Sequence, residues 1–374
     1  MSAPCIMIMA GGTGGHVFPA LSLAGELRRR GCEIVWLGTR AGIEARLVPA
    51  AGYAVEWIDI GGLRGKGWRT LLAAPWRLAR ALLQALAAVR RHRPRVVVGL
   101  GGYVTGPGGL AAWLSRRPLV IHEQNAVAGL TNRLLSRLAN RVLEAFDGSF
   151  GHGSAAVTVG NPVRCEFFEL PPPAVRRAGR DDLLRILVVG GSQGAERLNR
   201  VVPAAIGLLR GGDGAPAVRV RHQSGTRMLE TTQRAYAEAG VTADVSAFID
   251  DIAGAYAAAD LVICRAGALT VSEIAAVGVA AVLVPFAAAV DDHQTRNAGQ
   301  LVGCGAAVLI AEREFDVARL AAELQRLCGD RGLLLSMAER ARGFARPQAT
   351  RELADACLKA GGLAADGVPA GSRP

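Results

Sequence analysis

The chain has 374 residues, enough for two domains with sizeable cores; half of them are apolar and a fifth charged, which excludes a disordered chain. The net charge of +11 is uneven: residues 1–165 hold 20 basic and 8 acidic side chains, residues 166–374 hold 23 and 24, so the first half is expected to meet something anionic, such as a membrane surface, a nucleic acid or an acidic ligand. Seven scattered cysteines with no CxxC pair exclude a disulfide framework or a zinc site and point to a reducing cytosol.

In chain order, residues 5–10 form a short apolar strand that runs straight into GGTGGH at 11–16, which leaves no room for a signal sequence. A helix follows with Val17, Ala20, Leu21, Ala24 and Leu27 on one face. The glycines let backbone approach a ligand. His16 is a candidate general base, since imidazole titrates near neutrality and a helix start favours its neutral form; an exposed or capping histidine is the alternative.

Residues 33–37 and 55–58 are strands, and 61–68 a flexible basic loop. The helix after it, to about His92, is predicted to bury Leu78, Leu82, Leu86 and Val89. Trp68, Leu71, Leu72 and Trp76 lie off that stripe, among Arg64, Lys66, Arg69, Arg77 and Arg80. Large apolar side chains ringed by cations fit a patch that rests on a membrane; packing between elements is the alternative, and no nucleic-acid module is recognisable.

Residues 96–100 form a strand leading into a glycine-rich loop at 101–109 that carries Tyr103. Six glycines and a proline keep the uncharged run 96–115 from reading as a bilayer span. The strand at 119–122 ends in His122, Glu123, Gln124 and Asn125, four polar side chains where α/β sheets bind ligands. Strands at 141–145 and 157–159, a turn at 160–164 and a Pro-rich linker from Leu170 close this half.

The second half opens with a strand at 186–189 and a third glycine-rich turn, GGSQG at 190–194, which offers Ser192 to an anion. Strands at 218–222, 245–248, 261–264, 281–284 and 308–310 each precede a helical pattern, and Asp250 or Asp251 is placed to cap a short helix at 252–259. The turn at 265–268 is built of small residues before a helix at 269–277 ended by Gly278. Its leading N–H groups and dipole favour a phosphate, with hydroxyl donors on Thr270 and Ser272. Glu273 either accepts hydrogen bonds from a sugar diol or closes a capping box begun by Thr270. From about residue 311 to 360 the chain is helical.

Eight segments stand in order: GGTGGH at 11–16, GGYVTGPGG at 101–109, HEQN at 122–125, GNPVR at 160–164, GGSQGA at 190–195, FIDD at 248–251, RAGALTVSE at 265–273 and DDHQTRNA at 291–298. Together they resemble the peptidoglycan N-acetylglucosaminyltransferases of glycosyltransferase family 28, over roughly residues 5–360. The resemblance implies an α/β chain of GT-B architecture, two doubly wound Rossmann-like domains facing each other across a cleft. Residues 1–163 would bind acceptor and membrane, 164–344 the donor UDP-GlcNAc; 345–360 would be a helix packed back on the first domain and 361–374 a flexible tail.

It also implies an inverting transfer of GlcNAc from UDP-GlcNAc to the C4 hydroxyl of undecaprenyl-pyrophosphoryl-MurNAc-pentapeptide (lipid I), giving lipid II and UDP. Ile249 would meet the uracil and Glu273 the ribose; Ser192, Ala268, Leu269, Thr270, Val271 and Ser272 would surround the diphosphate. Gln294 and Asn125 would hold the sugar, Arg164 would reach the donor from the hinge side, and Thr13, Gly14 and Gly15 would close over it. His16 is the expected base, with Tyr103, His122 and Glu123 as acceptor residues or alternate bases. No cofactor and no metal is implied, a helix start standing in for a cation. Partners would be the donor, lipid I, an anionic membrane surface and the cell-wall and division machinery, with no nucleic acid. The protein would be peripheral, on the cytoplasmic face of the bacterial inner membrane. A UDP-GlcNAc 2-epimerase or a non-catalytic, membrane-docked nucleotide-sugar-binding protein is the alternative. The Ala-rich PFAAAVDDHQ at 285–294, with His293 beside Gln294, departs from the more polar form of that segment.

Overall fold

The computed structural model describes residues 3–61, 74–180, 183–190, 195–210, 217–289 and 292–364. The chain divides into two compact units, one of Met1–Arg164 with Arg346–Pro374, the other Cys165–Ala345.

The first unit is a sheet of seven parallel strands: β1 (Cys5–Met9), β2 (Glu33–Gly38), β3 (Ala54–Trp57), β4 (Val96–Gly99), β5 (Leu119–Glu123), β6 (Arg141–Glu144) and β7 (Val157–Thr158), in the order β3-β2-β1-β4-β5-β6-β7. Its strands read as unbroken apolar runs because both faces are covered. Successive side chains point to opposite faces, so Ile6 and Ile8 join one core with Trp36, Val17 and Leu27, while Met7 and Met9 join another with Val35, Ala85 and Val89. The first core is completed from far along the chain: Leu353, Cys357 and Leu358 of the Ala349–Ala360 helix are buried in it. Each such leucine contributes about 1.5–3 kcal/mol by leaving water.

The Ala74–His92 helix corrects the predicted stripe. Its buried residues are Ala81, Ala85, Ala88 and Val89, while Leu82 and Leu86 are only half covered and Leu78 is exposed. Alanines let the helix axis approach the sheet closely, and the longer leucines flank that line of contact. Trp76 is 77 % exposed, with Arg77 and Leu83 also in solvent. Trp68, Arg69, Leu71 and Leu72 lie outside the described residues. No described helix is long and apolar enough to cross a membrane.

The second unit repeats the winding with six parallel strands: β8 (Leu184–Val189), β9 (Val218–Gln223), β10 (Ala243–Ser246), β11 (Leu261–Cys264), β12 (Ala280–Leu283) and β13 (Ala307–Leu309), ordered β10-β9-β8-β11-β12-β13. The segment entering it is fastened by arginines. Arg176 donates to the carbonyls of Val277 (2.8 Å) and Gly278 (2.7 Å), and Arg180 to those of Ala257 (2.9 Å) and Ala258 (3.0 Å). Both guanidinium groups meet helix C-terminal ends, where unpaired carbonyls and the dipole favour cations. Gly278 ends its helix at φ 70°, and a Cβ there would lie 2.8 Å from that of Arg342.

In each sheet the chain winds outward in both directions from two central neighbours, β1 and β4 in the first, β8 and β11 in the second. Ligands of such sheets bind beyond the carboxyl ends of those neighbours.

Candidate active site

Beyond β1 the chain turns at Gly12, φ 90°, and the Gly14–Arg29 helix begins. Glu44, fully buried, underpins this turn: its carboxylate accepts from the N–H of Gly12 (2.9 Å), the N–H of Thr39 (3.1 Å) and the hydroxyl of Thr39 (2.6 Å). No pattern around Glu44 marked it in the sequence, because its partners, two backbone N–H groups and the Thr39 hydroxyl, come from two different turns.

His16 sits half-buried against the loop beyond β4. At Gly101, φ 100°, a Cβ would come within 2.6 Å of its Nδ1, and at Gly102, φ 86°, within 2.3 Å of the Gly11 carbonyl. Those two glycines are what allow the loops of β1 and β4 to meet. His16 Nδ1 lies 3.0 Å from Gln124 Oε1; Gln124 Nε2 lies 3.1 Å from His122 Nδ1; His122 Nε2 lies 2.9 Å from the Gly160 carbonyl. Thr13 and Tyr103 are exposed, while Gly14, Gly15 and Arg164 are half-buried.

The alternate bases His122 and Glu123 lie deeper than His16. His122 is fully buried with both ring nitrogens engaged, and burial pushes its pKa down to about 4. Glu123 is buried too. It accepts from the Asn125 N–H (3.0 Å), Asn125 Nδ2 (3.1 Å), the Gly129 N–H (3.1 Å) and Asn132 Nδ2 (2.8 Å). Four donors fill a carboxylate's lone-pair sites. It shapes the Asn125 loop.

In the second unit β11 leads through Arg265, Ala266 and Gly267 into the Ala268–Val277 helix. Gly267 is its N-cap, extended at φ −63°, ψ 144°, with no side chain closing the end. The Val271 N–H bonds to the Gly267 carbonyl at 2.9 Å, so the N–H groups of Leu269 and Thr270 precede the first intrahelical donor and have no carbonyl of their own helix to bond. The capping-box alternative fails on this start: it needs Thr270 at the N-cap, and Thr270 is the third helical residue. Glu273 lies half-buried on the next turn.

Two of the residues expected at the donor face inward in the folded chain. Val271 is fully buried and faces the core. Ser272 donates its hydroxyl to the Ala268 carbonyl at 2.9 Å, a bond within its own helix. Ser192 lies outside the described residues. Ile249 is buried ahead of Asp251, which caps the Ile252–Ala258 helix by accepting from the Gly254 N–H at 2.8 Å.

A cavity of about 480 Å³ opens beside this turn, lined by residues that include Arg197, Arg200, Arg265, Phe286, Gln294 and Glu312. Arg265 pairs with Glu312 and lies over the Phe286 ring, 5.3 Å from its centre. Glu312 also accepts from the Ala287 N–H at 2.8 Å, and Gln294 Oε1 from the Phe286 N–H at 2.9 Å. Burial pushes the Glu312 carboxyl up, but the Ala287 N–H and Arg265 outweigh it and hold it below the usual range. Sequence reasoning found Gln294 and missed its supports, although Arg265 opens the RAGALTVSE segment. Among the described residues no three His, Cys, Asp or Glu side chains gather as metal ligands.

Residues 6–144 match the glycosyltransferase family 28 N-terminal domain and residues 185–353 its C-terminal domain. The chain is 56 % identical, over 95 % of its length and 98 % of the relative's, to a UDP-N-acetylglucosamine--N-acetylmuramyl-(pentapeptide) pyrophosphoryl-undecaprenol N-acetylglucosamine transferase of Alkalilimnicola ehrlichii. It is 54 % identical, over 95 % and 98 %, to the transferase of the same name from Nitrosococcus oceani. The crystal structure of Acinetobacter baumannii MurG superposes with a TM-score of 0.83 at 43 % identity, covering 95 % of this chain and 99 % of that one.

Proposed function

The chain belongs to glycosyltransferase family 28, and we propose from that footing how its residues divide the reaction between two turns. It is an enzyme of the GT-B fold, a UDP-GlcNAc-dependent N-acetylglucosaminyltransferase of peptidoglycan synthesis that converts lipid I to lipid II. The epimerase and scaffold alternatives fall away against relatives of this identity and coverage.

In the reading proposed here the second unit binds the donor. The diphosphate rests on the start of the Ala268–Val277 helix, at Ala268, Leu269 and Thr270, where the dipole stabilises the charge that grows on the leaving UDP. Glu273 takes the ribose hydroxyls, the backbone of Ile249 the uracil, and Gln294 the sugar. The first unit supplies His16 as base for the acceptor's C4 hydroxyl, which attacks the anomeric carbon with inversion. Thr13, Gly14, Gly15, Asn125 and Arg164 complete the donor contacts, and Tyr103 meets the acceptor. The observation that carries this reading is the placement of both turns beyond the central strand pairs of two like-wound sheets.

The exposed Trp76, with Leu83, Arg77 and Arg80 beside it, supports docking on an anionic membrane surface. The cytoplasmic face of the bacterial inner membrane, and contact there with cell-wall and division machinery, belong to the same reading. The test is UDP release from UDP-GlcNAc with and without a lipid I analogue. Release should depend on the analogue; release without that dependence would contradict the assignment.

A further inference from the structure

We propose that Gln124 and His122 are positioning residues that lock His16 in one tautomer, with its proton on Nδ1 and its lone pair on Nε2. This deepens the reading of His16 as the base and rests on it.

One group in this line of contacts has a fixed role. The Gly160 carbonyl can only accept, so His122 Nε2, 2.9 Å away, must donate to it. His122 is fully buried, and burial holds its pKa at about 4, so at neutral pH the ring carries a single proton. That proton is on Nε2, which leaves His122 Nδ1 an acceptor. The Gln124 atom facing it at 3.1 Å must then be the amide nitrogen. The same nitrogen lies 3.2 Å from the His122 carbonyl, a second acceptor, so both of its protons find partners. A flipped amide would set its oxygen against that carbonyl and against a ring nitrogen with no proton. The orientation of Gln124 is therefore fixed by its neighbours, independently of how its atoms are assigned.

Gln124 Oε1 is then the atom 3.0 Å from His16 Nδ1, and an amide oxygen only accepts. The neutral His16 ring must carry its proton on Nδ1. Nε2 is left with the lone pair that a general base needs. Two further features hold the chain in place. Gly101 lets the His16 ring approach, since any Cβ there would strike Nδ1. Asn161 donates its side-chain amide to the Gln124 carbonyl at 3.1 Å and pins the backbone of the middle link. His122 and Gln124 of the HEQN segment are thus explained by what they do to a residue more than 100 positions earlier. In other enzymes, holding a catalytic imidazole in the wrong tautomer costs up to about 10⁴-fold in kcat.

The test is long-range ¹H–¹⁵N correlation on the full chain labelled at histidine nitrogens, at mildly alkaline pH. The His16 signals are identified by their loss in His16→Ala. Wild type should show a protonated, pyrrole-like Nδ1 and a bare, pyridine-like Nε2. In Gln124→Leu that pattern should give way to a tautomer mixture, with kcat down about 10-fold or more and the KM for UDP-GlcNAc changed by less than about 3-fold. A proton on Nε2 of wild-type His16, or an unchanged tautomer in Gln124→Leu, would overturn the proposal. Should the leucine variant fail to fold, the wild-type spectrum decides alone. Full turnover by His16→Ala would instead remove the base reading, and would leave the tautomer measurement standing as a separate result.

Discussion

The turn after β1 and the turn after β11 occupy equivalent places in two sheets wound in the same order, yet they are built for different chemistry. The first presents one side chain, His16, behind which lies a line of hydrogen bonds through Gln124 and His122 to the Gly160 carbonyl. In the second, past Arg265, Ala266, Gly267 and Ala268 carry so little side chain that backbone and helix start make the surface. A fold that places ligands beyond its central strands says where chemistry happens and leaves its kind to a few residues. Proton transfer needs a titrating atom at one point, and anion binding needs a convergent field of N–H groups.

The largest effect expected from breaking this contrast is at His16. His16→Ala should lower kcat by about 10²–10⁴-fold while the KM for UDP-GlcNAc moves little, as removing a general base does. The mirror experiment is Thr270→Asp. An acidic residue in the first turn of a helix favours the helix, so thermal stability should hold or rise. The same charge opposes a bound diphosphate, so the KM for UDP-GlcNAc should increase by about 10-fold or more. Stability and affinity moving together would show that this turn does not receive the phosphates.

A finer contrast lies in two buried histidines. His122 ends the line that reaches His16, whereas His222 is closed on itself, its Nδ1 2.8 Å from the Tyr236 hydroxyl and its Nε2 2.9 Å from Asn199 Oδ1. Burial lowers their pKa values from 6.5 to about 4 and about 3. Both are neutral in the folded state at pH values where the unfolded chain protonates them. Between pH 6.5 and about 4 the unfolded state therefore binds more protons, and stability falls as pH falls, by on the order of 3 kcal/mol per histidine. Denaturant midpoints measured across that range should show the loss. His222→Phe should flatten part of the slope and leave the tautomer of His16 unchanged.

The smallest effect on chemistry is expected at the surface. Trp76→Glu with Leu83→Glu should weaken binding to anionic vesicles and leave the KM for UDP-GlcNAc within about 2-fold of wild type. Vesicle binding that stays the same would place the docking surface elsewhere.

Much of this was legible in the sequence because local chemistry carried it. Strand–turn–helix order, the glycine-rich turns after β1 and β4 and Gly278 at a helix end all follow from rules that act over a few residues. What failed was longer in range. The buried stripe of the Ala74–His92 helix runs through alanines because the distance to the sheet, which no local pattern records, selects small side chains over leucine. Thr270 and Glu273 had the spacing of a capping box, but the helix begins two residues earlier, at Ala268. The burial of Val271 and the bond of Ser272 back within its own helix are likewise set by where that helix starts and what it packs on. Glu44, Gln124 and the Arg265–Glu312 pair act on groups distant in sequence, and only the folded chain brings them together.

The division of labour between the two turns is tested most directly by titrating the ¹⁵N-labelled protein with UDP and following backbone amides. The Leu269 and Thr270 signals should shift together and saturate, and Thr270→Asp should weaken that response more than His16→Ala does. Saturable shifts confined to other segments, with Leu269 and Thr270 unmoved, would contradict a helix start that cradles the diphosphate.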